Sequence, residues 1–178
     1  MFWRTINITF QVSITGIVIG TIVSLCSIGF VFGVQNASSF RTSFGSCFFD
    51  IGSLCFSIAP LIFLFITATV IIIVKNYLNI ARYHGPADVI LSAHSNGTDL
   101  DIKTGFLSTF AAFVSASGGA SVGQYGPLVH LGGTIGSLIK KYTQNILTRD
   151  VFIGCGVAAA ISAGFNSPIG GIIFAHEA

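Results

Sequence analysis

Gly123-Gln124-Tyr125-Gly126-Pro127-Leu128-Val129 lies inside a run that carries no Asp, Glu, Lys or Arg from Thr104 to Ile139. Proline suits the first position of a helix, where its missing N–H would have been unpaired anyway. The glycines beside it let the chain turn sharply and leave backbone donors exposed. The stretch therefore predicts a helix N-terminus at membrane depth, where unpaired N–H groups need a partner that lipid cannot supply.

Two further starts have the same form: His84-Gly85-Pro86-Ala87-Asp88-Val89-Ile90 and Asn166-Ser167-Pro168-Ile169-Gly170-Gly171. Proline at the first helical position is the expectation for all three. A helix N-terminus carries about half a positive charge and several free donors, so discontinuous helices pointing inward can hold an anion. Packing kinks whose N–H groups are met by neighbouring helices or trapped water give the same pattern, and the pattern alone does not choose between them.

Composition requires a membrane. Hydrophobic residues make up 52% of the 178 and charged residues only 8%, against roughly 25% charged in a soluble domain. The charges fall in clusters that leave four uncharged stretches: between Arg4 and Arg41, Ile51 to Val74, Thr104 to Ile139, and Val151 to Ala175. About 20 apolar residues suffice to cross the hydrocarbon, and the first two stretches read as ordinary spans, one ending near Gly33 and one near Tyr77. The apolar run from Ile6 to Val34 is too long for the h-region of a cleaved signal. Arg4, Lys75 and Arg82 on one side, against Arg41 on the other, predict a cytoplasmic N-terminus. Gly16 and Gly20, then Gly29 and Gly33, have the spacing of a close helix-packing face.

Several functions are excluded or left without support. A net charge of +2 is too small and dispersed for a nucleic-acid surface. Cys26, Cys47, Cys55 and Cys155 show no metal-ligand spacing, and only Cys47 and Cys55, flanking a connection, could pair. No cofactor or nucleotide motif is present. Gly119-Ala120-Ser121-Val122-Gly123 matches a nucleophile elbow and His130 follows, but no acid lies between Lys103 and Asp150 to orient a base, so no catalytic residue is assigned. Asp88 reads as a helix cap. Sequons at Asn7, Asn36 and Asn96 matter only in a secretory pathway.

Gly123–Pro127 resembles the G-[KR]-E-G-P segment of the CLC family of chloride channels and transporters, and Leu128–Gly136 is similar to the helix that follows it. Gly156–Phe174 resembles the family's A-A-x-F-N-A-P-[IL]-[AG]-G-x-[IL]-F segment, and His84–Ile90 occupies, more loosely, the place of G-S-G-I-P-E-V. The resemblance implies an all-α, multi-pass integral membrane bundle: a partial CLC domain over residues 1–178, with broken or re-entrant helices, lacking the second inverted repeat. It implies chloride as the ion, a lipid bilayer around the chain, and a homodimer for a full-length form. It places chloride near Gly123, Gln124, Tyr125, Gly126, Pro127, Leu128, Val129, His84 and Gly85, with the N–H groups of Gly126, Leu128 and Val129 nearest. Tyr125 stands at the family's gating glutamate, and His84 at its chloride-binding serine. The inner proton-transfer glutamate falls at Ala178 if Glu177 is the first acid of that helix end. A phenol stays neutral at physiological pH, so these departures point to passive conduction. A proton-coupled exchanger, and a non-conducting chain that needs a complement, are the alternatives.

Overall fold

The computed structural model describes residues 2–43, 49–51, 54–56, 58–95, 100–143 and 147–177. Its elements run α1 (Phe2–Ser43), β1 (Phe49–Ile51), β2 (Leu54–Phe56), α2 (Ala59–Tyr77), α3 (Pro86–His94), α4 (Ile102–Gly118), α5 (Tyr125–Tyr142), α6 (Arg149–Phe165) and α7 (Pro168–Glu177). The short strands pair antiparallel as a hairpin, an addition to an otherwise helical chain. Cys47, which could pair with Cys55, and Asn96, which heads a sequon, lie outside the described residues.

Among the described residues, two helices are long and apolar enough to cross a membrane, Ile8–Ser43 within α1 and Ala59–Tyr77. The first does not end near Gly33, as expected, but continues to Ser43. Its end is held by Arg41, whose guanidinium donates to the Ser117 carbonyl at 3.4 Å. That carbonyl belongs to the last turn of α4, where a cation meets the negative end of the helix dipole. Gly119 closes α4 with φ +96°, a left-handed cap in which any side chain would be strained and would strike Arg41.

The two inner uncharged stretches become helix pairs. Thr104–Ile139 divides into α4 and α5, and Val151–Ala175 into α6 and α7, with Asn166 left-handed (φ 52°) at the break. Asn tolerates that conformation better than other non-glycine residues.

α5 is the centre of the bundle, buried continuously from Leu128 to Ser137 and packed against α1, α3, α4 and α6. One core cluster joins Ile19, Val23, Phe30 and Val34 of α1 to Leu128, Leu131 and Ile135 of α5 and to Phe152 and Ala160 of α6. A second, built from Val89, Leu100, Val129, Ile153, Val157 and Ile161, lies between α3, α5 and α6.

The glycine contacts differ from expectation. A Cβ at Gly16, Gly20 or Gly29 would meet nothing within 4 Å, and of the four only Gly33 is in close contact, against the Phe113 ring. α1 packs instead through Ile19, Val23, Ser27, Phe30 and Val34, a stripe at spacings of three and four. The backbone-to-backbone approach is between α5 and α6. A Cβ on Gly132 would come to 2.3 Å from the Gly156 carbonyl oxygen, and one on Gly136 to 2.2 Å from that of Phe152. Small residues at this spacing let antiparallel helices close up where lipid offers no hydrophobic drive.

Candidate anion site

The three proline-introduced helix starts, far apart in sequence, come together. Pro86 of α3, Tyr125, Gly126 and Val129 of α5, and Ser167 and Gly170 at the start of α7 line one cavity of about 450 Å³. Its wall is mostly apolar, completed by Ile161, Phe165 and Phe174.

The starts differ in what their donors do. In α3, Pro86 is the first residue as expected, but the N–H groups before it are taken: His84 donates to the Ser108 hydroxyl and Gly85 to the Asp88 carboxylate, each at 2.8 Å. Asp88 thus caps its own helix and also pairs with Arg82. Burial works against its ionised form, but the bonds from Arg82 and from the Gly85 amide hold its pKa below the usual value. In α7, which begins at Pro168, Gly170 donates to the Ser167 hydroxyl and Gly171 to the Ser167 carbonyl.

In α5 the first turn is open. The helix starts at Tyr125, with Gln124 as a cap whose side chain makes no capping bond. Pro127 is therefore the third helical residue, not the first, because the turn forms ahead of it. The donors a helix leaves unpaired belong to its cap and first three residues, here Gln124, Tyr125 and Gly126, since Pro127 has none. Among the described residues those three N–H groups meet no acceptor. Leu128 and Val129, expected to offer N–H groups, fall within the helix's own ladder. The Leu128 side chain is buried in the first core cluster, whereas Val129 also lines the cavity. Gly123, which meets nothing within 4 Å, lies in the turn before the helix.

Tyr125 is held by stacking. Its ring lies 3.9 Å from that of Phe165, at an interplanar angle of 22°. Gly164 makes room for it, because a Cβ there would come to 3.3 Å from the Tyr125 ring. Behind the first turn is a pair of imidazoles, His84 and His130, with ring centroids 6.0 Å apart at 74°. His130 is 1% exposed, and neither of its ring nitrogens has a hydrogen-bond partner among the described residues. His84 Nδ1 is likewise buried without one. Buried polar atoms of this kind normally have a partner, water or an ion included.

Ser121 stands exposed in the turn after α4, and His130 is buried in α5. The glycine pattern around Ser121 thus follows a helix, not the strand an elbow needs.

A model of the voltage gated chloride channel family matches residues 64–178. The chain belongs to this family. It is 33% identical to chloride channel protein CLC-a of Arabidopsis thaliana, over 52% of this chain and 14% of that protein. To the plant's chloride channel protein CLC-c it is 34% identical, over 49% of this chain and 14% of that one. The human H(+)/Cl(-) exchange transporter 7 matches at 31% identity over 43% of this chain and 11% of its own length. The chain thus spans about one seventh or less of the relatives it matches, which include channels by name and exchangers by name. Membership, with the two apolar helices, makes this an integral membrane protein.

Tyr125, expected from the resemblance to stand at the gate, is stacked on Phe165, and His84, expected at the ion, has its amide bound to Ser108. Ala178 lies outside the described residues. Phe165, Gly164 and Ser167 were not expected at the site. The Asn166-Ser167-Pro168 start was visible in sequence, but nothing local says that it faces α5.

Proposed function

We propose that the chain forms part of a chloride pathway and that the ion passes at the N-terminus of α5, held by the N–H groups of Gln124, Tyr125 and Gly126. The observation that carries this reading is that, of three helix starts meeting at one cavity, α5 keeps three first-turn donors without an acceptor among the described residues, whereas α3 and α7 keep one each, at Ala87 and Ile169. Amide donors at the positive end of a helix attract an anion without the fixed full charge that would hold it too tightly to permeate.

Conduction is passive in this reading. The family's gate needs a carboxylate that competes with chloride when ionised and carries a proton when neutral. Tyr125 brings a phenol in place of a carboxylate, and its ring is clamped against Phe165 and Gly164. The face carrying Lys103, Lys140, Lys141 and Arg149 is then the cytoplasmic one, as the bias of positive residues implies, and the chain crosses the bilayer more than once. The test is chloride efflux from liposomes containing the purified protein, with external pH followed in the same vessel. Chloride release without proton movement is the expected outcome; proton movement in fixed ratio to chloride refutes passive conduction.

One observation favours a second reading, in which a complementary segment or subunit completes the pathway. The outer face of α7 is apolar and open, with Ile169 74% and Ile172 64% exposed, and the relatives are far longer. Liposomes that release no chloride from this chain, but do so when it is co-reconstituted with the remainder of a relative, support that reading.

A further inference from the structure

Away from the anion site, four of the chain's eight lysines and arginines line a single cavity of about 640 Å³. They are Lys103 at the start of α4, Lys140 and Lys141 at the end of α5, and Arg149 at the start of α6. Helix–dipole complementarity accounts for only half of this cluster. Lys140 and Lys141 stand in the last turn of α5, where cations belong. Lys103 is the second residue of α4 and Arg149 the first of α6, at positive helix ends that favour acids.

Among the described residues the cavity wall carries one acid, Asp101, which accepts from the Lys103 amide at 3.1 Å and from the Thr104 hydroxyl as the cap of α4. Neither the Lys103 nor the Lys141 ammonium has an ion-pair partner among the described residues. Lys140 is fixed in place, donating to the Leu147 carbonyl at 2.7 Å with its nitrogen 5.4 Å from the Phe152 ring centroid. Arg149 is anchored to the Ser92 hydroxyl. The cluster is thus a set of cations from three helices, two positioned and two free to swing. They surround a space large enough for a phosphate group and its substituent. Leu100, Ile102 and Leu138 add apolar wall, and Tyr142, 80% exposed, stands at the rim, as aromatic residues do at the headgroup level.

We infer that this cavity binds a phosphate-bearing anion, most simply the phosphomonoester headgroup of an acidic phospholipid. The inference does not depend on conduction, since the cavity is walled by the outer ends of α4, α5 and α6. Each basic residue near an anionic headgroup contributes about 1 kcal/mol, so removing two weakens binding about 30-fold. Screening by salt weakens it further.

The test is titration of the purified 178-residue chain in an uncharged detergent with dioctanoyl phosphatidic acid, dioctanoyl phosphatidylcholine or sodium phosphate. The expected result is saturable binding of phosphatidic acid over phosphatidylcholine, lost about 30-fold in the Lys103→Gln/Lys141→Gln double variant and retained in Lys75→Gln. Both altered lysines are exposed, and an unchanged melting temperature confirms that the double variant is folded. Inorganic phosphate binding as tightly as phosphatidic acid assigns the cavity to a soluble phosphate, and much weaker phosphate binding assigns it to a lipid. Equal binding of the two lipids, no binding of either phosphate compound, or a double variant that binds like the parent overturns the inference.

Discussion

The closest approach in the bundle gives the sharpest test of how it is held. In Gly156→Ala the new methyl would stand 2.1 Å from the Gly132 carbonyl oxygen and 2.7 Å from its carbon. Ordinary contact begins near 3.4 Å, so the helices must part by about 1.3 Å. The obstructing atoms are backbone and cannot rotate away. A gap of 0.5–1 Å already forfeits a quarter to a half of each dispersion contact, and Ala160, Phe152 and Leu128 depend on the same closure. The cost expected for overpacking is about 1–3 kcal/mol, or a melting temperature lower by roughly 3–10 °C at this chain length. Gly154→Ala is the control on the same helix, because a Cβ there meets nothing within 4 Å. Alanine's better helix propensity should leave it neutral or stabilised by up to about 1 kcal/mol. The assay is thermal unfolding of detergent-solubilised protein, followed by the monodisperse fraction on size exclusion. Equal losses in both variants, or none in Gly156→Ala, would refute the backbone-contact account of this interface.

Tyr125→Glu places a carboxylate at the start of α5, and under the proposed passive conduction it should confer pH dependence on chloride flux while Tyr125→Phe conducts like the parent; the liposome assay distinguishes them. Gly164→Leu removes the space beside the Tyr125 ring and should alter flux more than Tyr125→Phe does, with the fold checked by melting temperature. Asp101 caps α4, and its pKa is lowered, chiefly by the Thr104 hydroxyl, with burial opposing and the Lys103 amide assisting. A lowered folded pKa stabilises above the unfolded value near 4 and is lost as pH falls through the folded one. Asp101→Ala should therefore cost about 0.5–2 kcal/mol at pH 7, and its difference from the parent should shrink as pH drops below about 4. Asp88→Ala removes both the Gly85 contact and the Arg82 pair, and should loosen α3 enough to speed hydrogen exchange at its first turn.

Membrane residence, helical class and the places where helices begin are legible in the sequence because they follow from local chemistry. Uncharged runs of bilayer length, glycine beside proline, and Asn before Ser-Pro act within a few residues, and α3, α6 and α7 start or break where those residues stand. The same local rule misplaced the start of α5 by two residues, since a turn already formed by neighbouring packing can extend a helix ahead of its proline. It also missed the closest glycine contacts: of the spaced glycines on α1 only Gly33 meets a neighbour, the Phe113 ring, and the backbone-to-backbone approach is made by Gly132 and Gly136 of α5 with Gly156 and Phe152 of α6. Which helix start keeps the most free donors was only partly legible, because the acceptor of the His84 amide is Ser108, 24 residues away, whereas the Asp88 carboxylate that accepts from Gly85 is local and was read as a cap. Local sequence set the supply of backbone donors and the caps, Asp88 and Ser167, that occupy some of them; only tertiary packing brought the Ser108 hydroxyl to the His84 amide and gathered the three helix starts around one cavity.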